Sequence, residues 1–154
     1  MDISELLSRD AIVMRGGASS KRQALGMVAD VAAGVLGLES SMILEALMER
    51  EALGSTGLGG GVAAPHARLE GLSKVSGVFV RLDAPVAFDA VDDRPVDLMF
   101  ALFAPPEAGA DHLRALAAVS RRLRSPEMRE QLRQARTLDA ISALFVRETP
   151  VQAA

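Results

Sequence analysis

VDLMFALFA, from Val96 to Ala104, is apolar at every position except Asp97. A run with so little polar alternation reads as a central β-strand covered on both faces. Working outward, VSGVFVRL from Val75 to Leu82 and the shorter PVAF from Pro85 to Phe88 read as further strands, with DAVDDRP supplying turn residues before Val96. Ile12, Val13 and Met14 form another candidate strand, stopped by Gly16 and Gly17.

Helical patterns flank these strands. Ser20 and Gln23 have the spacing of a capping box, and Leu25, Val28, Ala32, Val35 and Leu36 recur at helical intervals before Gly37. A second helix is predicted from Ser40 or Ser41, burying Ile43, Leu44, Leu47 and Met48 and ending before Gly54, with Glu45, Glu49, Arg50 and Glu51 on its other face. After the strands, a helix beginning at Asp111 should bury Leu113, Leu116, Val119 and Leu123. Ser125 and Pro126 form an N-cap and first helical position, leading to Met128 and Leu132. A last helix follows Thr137, with Leu138, Ile141, Leu144 and Phe145 on one side. Helices, then strands, then helices predict an α/β single-domain three-layer sandwich over residues 1–154, with a mixed sheet of about five strands flanked by helices on both faces.

The 154 residues are 49% hydrophobic and carry 17 basic against 20 acidic residues. One sizeable core is expected, and a formal charge of -3 gives no basic field for phosphate backbones, so nucleic acid is not an expected partner. With no cysteine, thiol redox chemistry and thiolate metal sites are excluded, and no cofactor is expected. MDISELLSRD lacks the basic and apolar features of a secretory signal, and no stretch reaches the roughly 18 apolar residues of a membrane span. A soluble, cytoplasmic protein without membrane insertion is expected.

Only two histidines exist, His66 and His112. His66 closes GLGGGVAAPH, where Pro65 stiffens the approach and five glycines from Gly54 to Gly61 leave backbone amides free to turn toward an anion. A phosphoryl acceptor needs a neutral nucleophilic nitrogen, donors for the phosphoryl oxygens and access for a second protein; a histidine in a surface loop supplies the first and third. A histidine that merely bonds backbone in a turn would satisfy the same residues. His112 follows Asp111, and if Asp111 is an N-cap, the helix end favours a neutral ring beside an anion; an exposed histidine at a helix end is the alternative. Arg50 suits the last turn of its helix electrostatically, and equally suits a clamp on phosphoryl oxygens; spacing does not choose. The RRLR run from Arg121 to Arg124 reads as a solvated helix face. No Gly-Lys-Ser/Thr loop, G-x-S-x-G elbow or His-x-x-x-His pair occurs, and the glycines near dinucleotide spacing follow a helix where a strand is needed.

REALGSTGLGGGVAAPHAR, from Arg50 to Arg68, resembles the signature of the fructose/mannitol-type enzyme IIA domains of the bacterial phosphotransferase system. The likeness continues from Gly77 to Leu102 and from Asp111 to Leu123, and DAPVAFDAVDDRPVDLMFAL looks more like the nitrogen-regulatory branch. The resemblance implies that His66 is the phosphorylated nucleophile, that Arg50 stabilises the phosphoryl group and that His112 is the second active-site histidine. It also implies a phosphohistidine-forming, transferase-type phosphocarrier with a mainly regulatory signalling role. The donor would be an HPr-like phosphocarrier protein, and the targets regulatory proteins such as potassium transport or sensor kinase systems. A sugar-specific component passing its phosphoryl to a separate IIB domain, and a binding module without phosphotransfer, are the alternatives. The sequence departs from the family pattern at Gly60, often asparagine, and at Ala64, often a larger aliphatic residue; both changes bear on how the loop would hold a phosphoryl group.

Overall fold

The run from Val96 to Ala104 forms the centre of a mixed six-stranded sheet. The structure is a computed structural model that describes residues 2–146. Two 3₁₀ turns, Ile3–Leu6 and Arg9–Ala11, precede strand β1 (Ile12–Gly16) and helices α1 (Lys21–Leu36) and α2 (Ser40–Ala52). Three short strands follow, β2 (Gly57–Gly59), β3 (Val62–Ala63) and β4 (His66–Arg68), and then two long ones, β5 (Ser76–Val86) and β6 (Val96–Ala104). Helices α3 (Ala110–Leu123), α4 (Pro126–Gln134) and α5 (Leu138–Val146) complete the order.

β6 pairs antiparallel with β5 on one side, and on the other runs parallel first to β3 and then to β4. β1 joins β5 in parallel, and β2 joins β3 antiparallel. Because successive side chains on a strand point to opposite faces, the long strands feed two cores. Val78 and Val80 of β5 with Met99, Ala101 and Phe103 of β6 pack toward Leu25 and Val28 of α1 and Ile43 and Leu47 of α2. Phe79, Leu98, Phe100 and Leu102 face Val119, Leu132 and Phe145 of the C-terminal helices. There the rings of Phe79, Phe100 and Phe145 lie 5.1 to 6.4 Å apart, an arrangement that adds about 0.5–1.5 kcal/mol per pair beyond simple burial. The expected three-layer sandwich is present.

Several local expectations are corrected. The glycine stretch is a tight hairpin, not a loop: Gly59, Gly60 and Gly61 turn at φ of 90°, 66° and 83°, a region glycine enters freely, and pairing with β6 draws the flanking residues into strands. Those short strands raise the count to six, whereas Val75–Leu82 and the start of PVAF merge into the single strand β5. In the α1 cap, Ser20 accepts from the Gln23 amide as expected, but the Gln23 side chain reaches Ser19 instead of Ser20. Val35 faces outward and Leu36 is half-buried. The N-cap of α3 is Gly109, not Asp111, and the buried stripe runs through His112, Ala115, Val119 and Leu123, with Leu113 67% exposed and Leu116 half-buried. Arg122 is not simply solvated, since its guanidinium donates to the Leu144 carbonyl and ties α3 to α5. Glu51 turns inward, away from the outer face assigned to it. Ser125 and Pro126 start α4 as predicted.

Candidate functional site

β3 and β4 share one flank of β6, with Ala64 and Pro65 between them. Pro65 has no N–H to pair, so the strand breaks there, yet its carbonyl accepts from Leu102 and restores the register in time for His66 to lie opposite Leu102. The break therefore delivers a histidine at the head of a strand, between the two helical layers. Arg50 arrives from the last turn of α2 and His112 from the first turn of α3.

Arg50 Nε donates to His66 Nε2 at 3.1 Å, and Arg50 Nη1 donates to the Gly54 carbonyl at 2.9 Å. On the other side of the ring, His66 Nδ1 lies 3.0 Å from the Ala64 carbonyl. A carbonyl can only accept, so Nδ1 carries the proton and Nε2 carries the lone pair. The rings of His66 and His112 meet edge to face with centroids 5.5 Å apart. His112 is only 6% exposed, and its Nε2 is the one buried side-chain nitrogen or oxygen without a hydrogen-bond partner among the described residues. The three residues singled out in the sequence thus come together, from the sheet and from both helical layers.

They line a hollow of about 470 Å³ that also includes Arg68, Leu113 and Leu116. Leu53, 85% exposed, stands at its rim. Arg68, two residues along β4 and hence on the same face as His66, holds the Pro106 carbonyl at 2.7 Å. Sequence reading passed over Arg68 because residues 66–68 carry no strand pattern of their own. A larger hollow of about 660 Å³, between Glu5, Lys74 and Asp111, is lined by no histidine.

None of the glycines from Gly54 to Gly61 lines the His66 hollow, which corrects the expectation that their amides form an anion nest there. The Gly60 amide donates to Asp92 at 2.9 Å and the Gly60 carbonyl accepts from Arg133 at 2.8 Å, so the hairpin tip is fastened elsewhere. Gly60 lies at the hairpin tip, outside the lining of the His66 hollow, so that departure does not alter the lining. At position 64 the His66 ring is met by the backbone carbonyl, not by the side chain.

Burial is the main cause holding His66 below the usual 6.5, with the Arg50 charge adding to it against opposing contributions from the Ala64 carbonyl and Glu51. Burial likewise lowers His112, helped by His66 and Arg68. Both rings are therefore neutral at neutral pH. Each is depressed in the folded state, so the stability it confers is complete above 6.5 and is lost as the pH falls through the folded value. In a titration followed by imidazole proton resonances, both midpoints are expected below 6.5. A His66 midpoint at or above that value would mean a solvated ring without the Arg50 contact.

A half-buried neutral imidazole with a directed lone pair, beside two guanidinium groups in an open hollow, is the equipment of a histidine that receives an anionic group. The chain belongs to the family described as phosphoenolpyruvate-dependent sugar phosphotransferase system, EIIA 2, whose model matches residues 5–147. Within that family it is similar to nitrogen regulatory proteins: 45% identical over 145 residues to one from Bradyrhizobium diazoefficiens, covering 94% of this chain and 95% of that one. It is 40% identical over 138 residues to another from Escherichia coli K12, covering 89% and 85%. The crystal structure of nitrogen regulatory protein IIA-Ntr from Neisseria meningitidis superposes with a TM-score of 0.88 at 34% identity, covering 93% of this chain and 98% of that one. No helix among the described residues is long and apolar enough to cross a membrane.

Proposed function

We propose that this chain, as one EIIA-type domain over residues 1–154, is a cytoplasmic phosphocarrier. It accepts a phosphoryl group on His66 Nε2 from a histidine-phosphorylated HPr-like protein, and its phosphorylation state controls binding to regulatory targets. The observation that carries the proposal is the opposed pair of bonds on the His66 ring: Nδ1 is tied to the Ala64 carbonyl, and Nε2 faces Arg50.

In the transfer, the Nε2 lone pair attacks the phosphorus of the donor's phosphohistidine. The donor's P–N bond breaks and its electron pair returns to the donor imidazole, while His66 keeps its Nδ1 proton against Ala64. Little covalent work is required of the protein, so alignment and charge stabilisation dominate. Arg50 leaves the lone pair and turns its donors to the phosphoryl oxygens, a charge-assisted and potentially bidentate interaction. His112 Nε2, buried and unpartnered beside the ring, is placed to bond an incoming oxygen. The exposed Leu53 and Leu113 give a donor protein an apolar rim to cover. The regulatory role, as opposed to onward transfer to sugar, is supported by the nitrogen regulatory names of the relatives from Bradyrhizobium, Escherichia and Neisseria. Potassium transport or sensor kinase systems are the kind of target such a role would address.

The test is incubation of the purified protein with phosphoenolpyruvate, enzyme I and an HPr-type carrier, read by intact mass and peptide mapping. One acid-labile phosphoryl group on His66 is expected. An unchanged mass with a donor system that phosphorylates a control IIA protein would defeat the proposal.

A further inference from the structure

Glu51, in the last turn of α2, carries a carboxylate that local physics disfavours twice. A negative charge at a helix C-terminus opposes the helix dipole, and a buried carboxylate is costly unless fully paired. Its side chain is nevertheless 5% exposed. Oε1 accepts from Lys21 Nζ at 2.9 Å and from the Thr56 amide at 3.1 Å, and Oε2 accepts from the Thr56 hydroxyl. Thr56 is itself buried.

The bonds continue past Thr56. Its carbonyl accepts from the Ala64 amide at 3.0 Å, and the Ala64 carbonyl accepts from His66 Nδ1 at 3.0 Å. Arg50, the residue before Glu51, donates to the opposite nitrogen of the same ring at 3.1 Å. Adjacent residues at one helix end thus hold both sides of His66, Arg50 directly and Glu51 through Thr56 and Ala64. A side chain needed only for packing would fill this position with apolar atoms; a carboxylate with two separate oxygens can grip both the amide and the hydroxyl of Thr56 and fix its direction.

We infer that Glu51 is a positioning residue for phosphoryl transfer: through Thr56 and the Ala64 carbonyl its buried carboxylate locks the His66 ring with Nδ1 protonated and Nε2 turned to Arg50. The inference rests on the proposed acceptor role of His66, but its structural half is measurable without any phosphoryl donor. With the lock loosened, the ring exchanges toward the Nε2-protonated form, which has no lone pair facing Arg50 and cannot attack phosphorus from that nitrogen.

The experiment compares wild type with Glu51→Gln, Thr56→Val and Thr56→Ser. Nitrogen-15 shifts of the imidazole report the His66 tautomer, single-turnover transfer from a phosphorylated HPr-type carrier reports the rate, and thermal unfolding reports the fold. Wild type is expected in the Nδ1-protonated form. Glu51→Gln and Thr56→Val should shift the ring toward the other tautomer and slow transfer on the order of 10²-fold, the scale of a small misplacement of reacting groups. Thr56→Ser, which keeps the hydroxyl, should return both readouts toward wild type. If Glu51→Gln does not fold, Thr56→Val, which removes only the hydroxyl arm, decides the matter. A folded Glu51→Gln or Thr56→Val with the wild-type tautomer overturns the inference, even where transfer is slowed, because the carboxylate would then act elsewhere. If wild type accepts no phosphoryl group, the acceptor role fails, and the tautomer comparison still decides whether Glu51 sets the ring.

Discussion

His66→Ala is expected to accept no phosphoryl group at all while keeping the wild-type fold. The ring is half-buried at the head of a three-residue strand, and the backbone bonds that hold that strand, including the one from Leu102 to the Pro65 carbonyl, do not involve the side chain. Truncation frees Arg50 Nε into an open hollow where water can take the place of Nε2. The stability cost should therefore stay within the ordinary range for a point substitution, about 1 kcal/mol. Function has no such reserve. His112 is the only other histidine in the chain, and its buried Nε2 is assigned to bonding a phosphoryl oxygen, not to attacking phosphorus. Intact mass after exposure to the complete donor system, beside a thermal melt, checks both halves. A phosphoryl group found on residue 112 of the variant would reverse the roles assigned to the two rings.

The central strand, the two-faced sheet and the helical layers were legible because each rests on periodicity that burial imposes on neighbouring residues. Val96–Ala104 needs no distant partner to reveal that both its faces are covered. What escaped reading depended on partners far along the chain. Glu51 resembles any acidic residue on an amphipathic helix until Lys21, thirty positions earlier, and Thr56 are seen to meet it. The glycine hairpin contradicts strand propensity, and its strands form because β6 offers unpaired backbone to Val62 and Ala63. In α3 the apolar pattern points to Leu113 as core, but the buried position belongs to its neighbour His112 and Leu113 lies outside. A local rule broken in this way, with a polar ring inside and a leucine at the surface, marks the site itself.

The site residues were legible for a different reason. With two histidines and one proline-stiffened glycine run, the sequence leaves few places for nucleophilic nitrogen chemistry, and the family resemblance chose the clamp reading of Arg50 that spacing left open. The inferred supply of anion donors was placed wrongly. The Gly60 amide donates to Asp92 at the hairpin tip, while at His66 the donor is the Arg50 guanidinium from α2, with Arg68 of β4 lining the same hollow. Glycine density identifies backbone that can turn; where it turns is set by the strands on either side.

Arg50→Ala should slow phosphoryl transfer to His66 by on the order of 10²–10³-fold, the effect of deleting one preorganised donor from a site where charge develops. Two consequences of the substitution oppose each other. Removing the guanidinium frees the Nε2 lone pair from a hydrogen bond worth about 1 kcal/mol net, and it removes a charge that lowers the His66 pKa, so the ring becomes more basic and more available. Against this stands the loss of transition-state stabilisation, about 2.7–4 kcal/mol for a donor of this kind, which outweighs the gain. Arg68 does not replace it, since its guanidinium is engaged with the Pro106 carbonyl at 2.7 Å. Arg50→Lys should recover part of the rate, because an ammonium supplies charge but not the planar fork that holds Gly54 and a phosphoryl oxygen together. Single-turnover transfer at a series of pH values separates the two consequences. The variant should show a lower plateau and an acid limb displaced to higher pH, the direction set by removing a neighbouring positive charge. A wild-type plateau in Arg50→Ala would leave the guanidinium as a helix-end charge with no part in transfer.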